Sequence, residues 1–182
     1  GKRELGDEAF WPIYKALENL NVPIFIHPHH VAGMERLEDF YLTNLIGNPL
    51  DTTIAAAQLI FSGVLEKYPG LKIILAHAGG QLPYIMGRME HGYKVRPECK
   101  ERVHQSPRAF FKNFYFDIIT HNPDALRYLI RIAGSDHVLL GSDYPYDMGD
   151  PNPVQTVSKL SGIKATDRRK ILRENAIALF GL

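Results

Sequence analysis

Apolar positions in this chain follow two spacings that alternate from one end to the other. One recurs every three and four residues, as on the buried face of a helix, and the other is a short continuous apolar run, as in a strand covered on both faces. The first helical pattern carries Phe10, Ile13, Tyr14, Leu17 and Leu20 behind a capping Asp7, and ends near Asn21. Val22–His27 then reads as a strand, followed by a long irregular stretch from Pro28 to Pro49. Long loops in compact domains tend to be functional. A second helix opens at Asp51 or Thr52, presents Ala57, Phe61, Val64, Leu65 and Tyr68, and is closed by Pro69-Gly70.

Leu71–Ala76 reads as the next strand, and Leu82 to Tyr93 as a helix weakened by Gly87 and Gly92. The segment from Lys94 to Lys112 is basic and poorly periodic. Phe114–Ile119 is a third strand, and Asn122-Pro123-Asp124 is a helix start with a capping side chain, a proline in the first turn and an acid at the positive end. That helix buries Leu126, Leu129, Ile130 and Ala133 and stops at Gly134. Val138–Gly141 is the fourth strand. A loop with Pro145, Pro151 and Pro153 leads to a closing helix over Thr166–Phe180, with Ile171, Leu172, Ala176, Leu179 and Phe180 inward. Strands alternating with helices predict an α/β fold of four parallel βα units, in one domain spanning residues 1–182.

Composition narrows the class without naming a function. Of 182 residues, 45% are hydrophobic and 23% charged, and the net charge of +1 provides no basic footprint for nucleic acid. One cysteine, Cys99, excludes an intramolecular disulfide, and no apolar run is long enough to span a bilayer. The expected setting is the cytoplasm. A closed eight-stranded α/β barrel usually takes about 250 residues, so four units amount to half a barrel or a small open sheet.

Three of the apolar runs end in chemistry: IFIHPHH at 24–30, KIILAHAGG at 72–80 and HVLLGSDYP at 137–145. The C-terminal ends of parallel strands are where α/β barrels display their catalytic groups. His27 and Asp143 supply the imidazole and carboxylate donors that a catalytic divalent ion takes. His77 can ligate or carry a proton, since an ordinary imidazole pKa of about 6.5 suits both tasks. Gly79-Gly80 lets the backbone approach a ligand closely. The same residues have structural alternatives: a hydrogen-bonded strand-end histidine, or an aspartate capping its own turn. His29 and His30 read as loop residues flanking the site; His91, His104, His121 and His137, with Trp11, read as structural.

The stretches FIHPHH, TTIAAAQLIFSGVLEKYPGLKIILAHAGGQLPYIMGRMEHGYKVRPE and VLLGSDYPYDMGD resemble the decarboxylase branch of the amidohydrolase superfamily, which includes aminocarboxymuconate semialdehyde, resorcylate and carboxyvanillate decarboxylases. The motifs occur in the same order over nearly the whole chain. The resemblance implies the C-terminal half of a (β/α)8 barrel with a mononuclear divalent metal, zinc or manganese. It makes His27 and Asp143 metal ligands and His77 the catalytic acid/base. It aligns Arg96 with an arginine that binds a substrate carboxylate, often across a dimer interface; a guanidinium fork grips a carboxylate bidentately. The implied reaction is release of carbon dioxide from an aromatic or unsaturated carboxylic acid.

One departure accompanies the resemblance. The family's first-strand His-x-His or Glu-x-His pair has no counterpart upstream of His27, which implies a fragment or a half-barrel that assembles with another copy. His27-Pro28-His29 has the spacing of such a pair, but the downstream motifs fit His27 as a single ligand. A metal-dependent hydrolase or hydratase with the same ligands, and an inactive half-barrel with exposed strand edges, are the competing expectations.

Overall fold

A computed structural model describes residues 3–182. Four short strands, β1 (Ile24–Ile26), β2 (Ile73–Leu75), β3 (Phe114–Asp117) and β4 (Val138–Leu139), form one parallel sheet in the order β1-β2-β3-β4. Ile24 lies opposite Ile73 and Ile73 opposite Phe114, while Phe116 lies opposite Val138. Because strand side chains alternate, this register sorts them into two faces. Ile24, Ile26, Ile73, Leu75, Phe114, Phe116 and Val138 join the main core, and Phe25, Ile74, Tyr115 and Leu139 occupy the other face.

Helices cover the first face: α1 (Trp11–Leu20), α2 (Asn48–Phe61), α3 (Val64–Lys67), α4 (Leu82–Val95), α5 (Pro123–Ala133) and α6 (Pro153–Lys159). Leu59 and Ile60 of α2, Leu82 and Met86 of α4 and Leu126 of α5 are fully buried there. Each such side chain contributes about 1.5–3 kcal/mol by leaving water. The chain closes with α7 (Ala165–Arg169), a wide turn over Lys170–Glu174 and α8 (Asn175–Phe180). Leu179 and Ala176 of α8 pack on Ile74, Tyr115 and Leu139, the second face of the sheet. No helix among the described residues is long and apolar enough to cross a membrane.

Several expected elements shift, each for a local reason. The second helix starts at Asn48 rather than Asp51, because Pro49 has the backbone angle preset for a first turn. Prolines hold the first or second position of α1, α2, α4, α5 and α6 alike. Pro153 therefore opens a helix that the sequence reading assigned to a loop. The single helix expected through Tyr68 breaks at Gly63, whose φ of 82° places it in the left-handed region and separates α2 from α3. Gly87 and Gly92 leave α4 unbroken. Ile13, Leu20 and Phe180, expected inward, are exposed, since nothing among the described residues covers their side of α1 and α8. The stretch 28–49 is not featureless: Met34–Arg36 forms a 3-10 turn, and Thr43–Gly47 forms a wide turn running into α2.

Candidate metal and proton-transfer site

The three strand-end residues converge. His27 follows β1, His77 follows β2 and Asp143 follows β4, and their nitrogen and carboxylate donor atoms all lie within 4.8 Å of one another. His27 Nε2 is 3.8 Å from Asp143 Oδ1, and His77 Nε2 is 3.7 Å from Asp143 Oδ2. The two imidazole rings are 5.0 Å apart at their centres. These separations are too long for hydrogen bonds, so the donors face a common point without satisfying each other. His27 and Asp143 present the imidazole nitrogen and carboxylate oxygen that a divalent transition metal takes, with the His77 imidazole beside them. The residues present therefore fit such an ion.

Two of the three stand on backbone that side chains rarely adopt. His77 has φ of 54° and Asp143 φ of 56°. Such conformations persist only where the surroundings hold them, and they cluster at functional sites. The His77 turn is held from two sides. Asp117, the last residue of β3, accepts hydrogen bonds from the His77 and Ala78 amides at 2.8 and 2.7 Å. From α2, the Thr53 hydroxyl donates to the Pro49 carbonyl at 2.7 Å and accepts from the Gln81 amide at 2.8 Å. Around Asp143, the Asp150 amide donates to the Ser142 carbonyl at 2.8 Å, closing the loop on itself. The Tyr41 hydroxyl donates to Asp147 at 2.9 Å and ties that loop to the stretch after β1.

Burial lowers the His77 pKa, with the neighbouring His27 and His121 adding to the effect, while Asp117 and Asp143 oppose it. Its Nδ1 is buried without a hydrogen-bond partner among the described residues. Asp117 is pushed the other way: burial raises its carboxyl above the ordinary range, and backbone N–H bonds resist the rise. His77 and Asp143 form one wall of a cavity of about 560 Å³, with Asn48, Tyr84, His121 and Tyr128 among its other walls. That volume suits a small organic molecule.

Other predicted residues lie elsewhere. Arg96 follows α4, is exposed, and donates through Nε to its neighbour Glu98 at 2.8 Å; it does not line the cavity. His29 and His30 are exposed, lie against each other with ring centres 4.5 Å apart and planes tilted by 56°, and do not join the donor group. His121, which the sequence reads as structural, lines the cavity. Asp117 lies inside the apolar run FYFDII rather than at its end, so the strand-end pattern that marks His27, His77 and Asp143 passes over it.

The sequence profile of the amidohydrolase family matches residues 1–182. The chain belongs to the amidohydrolase family. It is 34% identical over 181 residues to a 2-amino-3-carboxymuconate-6-semialdehyde decarboxylase of Dictyostelium discoideum, covering 99% of this chain and 50% of that protein. It is 37% identical over 146 residues to a 6-methylsalicylic acid decarboxylase of Penicillium expansum, covering 80% and 45%. The chain thus spans about half the length of the curated relatives it matches. Its fold is similar to a dihydroxybenzoic acid decarboxylase from Polaromonas sp. solved with bound manganese and the inhibitor 2-nitroresorcinol, with a TM-score of 0.87, 27% identity and coverage of 98% of this chain and 55% of that one. The four βα units correspond to about half of an amidohydrolase-type (β/α)8 barrel.

Proposed function

We propose that this chain forms part of a metal-dependent decarboxylase acting on an aromatic or unsaturated carboxylic acid. The convergence of His27, His77 and Asp143 within 4.8 Å beside a substrate-sized cavity carries this reading. The decarboxylase relatives support the reaction class. His27 and Asp143 are the ligands this chain contributes, and a divalent ion bound there supplies Lewis-acid polarisation of a substrate oxygen. Zinc suits the donors, and the manganese in the Polaromonas structure makes that metal the second candidate.

His77 carries the proton. As the carbon–carboxylate bond breaks, its electron pair stays on the substrate carbon, carbon dioxide leaves, and the proton of the His77 imidazolium forms the new C–H bond. A pKa lowered by burial makes that imidazolium a stronger acid, which favours transfer to carbon. Arg96, exposed on its own chain, binds a substrate carboxylate in a neighbouring copy, which makes the working assembly a homodimer. The cytoplasm is its setting, and residues 1–182 act as one partial-barrel domain.

Product analysis in D2O tests the reaction class. With the metal-loaded protein and 2,6-dihydroxybenzoate or 6-methylsalicylate, decarboxylation yields carbon dioxide and one deuterium on the carbon that carried the carboxylate. Addition of water across the substrate or hydrolysis without carbon dioxide assigns the same ligands to a hydratase or hydrolase and overturns the proposal.

A further inference from the structure

Asp117 lies beside the donor triad without belonging to it. Its Oδ2 accepts from the His77 amide at 2.8 Å, and its Oδ1 accepts from the Ala78 amide at 2.7 Å and the Ile119 amide at 3.0 Å. No cation pairs with it among the described residues, although the residue is only 9% exposed. A buried carboxylate is costly unless charge or hydrogen bonds compensate it, and here backbone amides are the compensation.

Those amides serve an unusual stretch of chain. His77, Ala78, Gly79 and Gly80 have φ of 54°, 56°, 75° and 60° in succession. For a residue with a Cβ such a conformation is strained, so His77 and Ala78 need outside support. The turn has little room to relax: a Cβ on Gly79 would meet the Phe116 ring at 2.6 Å, and one on Gly80 would meet the Pro49 carbonyl at 2.1 Å. Asp117 is itself braced from the segment after β4, where a Cβ on Gly141 would come within 2.9 Å of the Asp117 Cβ.

We infer that Asp117 is a positioning residue: by clamping the His77 and Ala78 amides it fixes the left-handed turn that aims the His77 imidazole at Asp143 and the cavity. This deepens the proposed role of His77 and rests on it for any effect on turnover. Asp117 does not touch the reacting atoms; it acts through the main chain of His77.

The isosteric Asp117→Asn change separates this role from general support of the fold. An asparagine oxygen in the Oδ1 position keeps the Ala78 and Ile119 bonds, while its amide group in the Oδ2 position sets a donor against the His77 N–H. Hydrogen exchange and histidine ring NMR on the variant should show the His77 amide exchanging at least about tenfold faster, with shifted His77 ring resonances and the core amides of β2 and β3 still protected. In the metal-loaded protein, kcat should fall about 10–100-fold with KM changing far less, the range typical of losing a supporting partner. In a His77→Ala background the same change should add little, because the two act as one unit.

Unchanged His77 exchange and ring resonances in Asp117→Asn would overturn the inference, as would rate losses that multiply with those of His77→Ala. If the wild-type protein releases no carbon dioxide, the decarboxylase reading fails while exchange and NMR still decide the clamp. Should Asp117→Asn not fold, Gly141→Ala displaces Asp117 from behind and should reproduce the faster His77 exchange; a His77 amide as protected as in wild type would again contradict the clamp.

Discussion

His77 and Asp143 face each other across 3.7 Å from strands at different places in the sheet, and both stand on left-handed backbone. That distance is too long for a hydrogen bond, so neither side chain satisfies the other. With His27 this makes a donor set poised for an ion.

Removing either proposed ligand should weaken metal binding. His27→Ala and Asp143→Ala are each expected to lower Mn(II) or Zn(II) affinity by more than about tenfold, the lower end of what even a supporting partner of a ligand is worth. A titration followed by electron paramagnetic resonance for Mn(II) checks this. Affinity equal to wild type in both variants would move the metal away from this triad.

Two glycines should respond in opposite directions to the same added methyl. Gly87 lies inside α4 with open space where a Cβ would go, so Gly87→Ala should stabilise the protein by about 0.5–1 kcal/mol. Gly80 combines a φ of 60° with a backbone carbonyl 2.1 Å from the Cβ position. Gly80→Ala should therefore cost more than about 2 kcal/mol. Chemical denaturation of both variants measures the contrast.

Asn175 ties the closing helix to the sheet. Its side-chain nitrogen donates to the carbonyls of Ser135 and Val138, each at 2.7 Å, the second bond being buried. Asn175→Ala leaves a buried carbonyl unpaired and should destabilise by about 1–3 kcal/mol. Thermal denaturation of the variant should show a correspondingly lower midpoint.

Tyr14 predicts an alkaline limit to stability. Burial pushes its pKa up to about 12, and its hydroxyl donates to the Leu5 carbonyl at 2.6 Å. Between the ordinary tyrosine value of about 10 and that raised value, the unfolded chain has released a proton that the folded chain retains. Folding stability is therefore intact below about pH 10 and falls as pH rises towards 12. Tyr14→Phe should lose the hydrogen bond at neutral pH yet show a flatter decline over that window, measurable by denaturant titration at each pH.

Much of this arrangement is legible in the residues themselves. The continuous runs around Ile24–Ile26, Ile73–Leu75 and Phe114–Phe116 mark strands, although only β2 and β3 are covered on both faces and β1 leaves Phe25 exposed, and the side chains that follow β1, β2 and β4 converge. Asn122-Pro123-Asp124 marks its helix start because the cap, the proline and the acid all act within one turn: the Asn122 side chain accepts from the Asp124 and Ala125 amides at 2.8 and 3.1 Å. What periodicity misses depends on tertiary contacts. Gly63 breaks a continuous apolar face where a Cβ would strike the Arg102 carbonyl at 2.3 Å, a contact from a distant segment. Pro153 reads as a loop until its position at a helix start is seen. Asp117 is hidden because its partners are main-chain amides 39 and 40 residues away, which no spacing rule joins. The place of His121 on the cavity wall likewise depends on how the turn after β3 meets the Asp143 loop.

The rate of carbon dioxide release by the metal-loaded His77→Ala variant tests the central claim most directly. Metal content should equal that of wild type, because His77 is proposed as the proton carrier and not as a ligand, and the rate should fall by about 10²–10⁴-fold, the usual contribution of a positioned acid. Release at the wild-type rate would contradict the account.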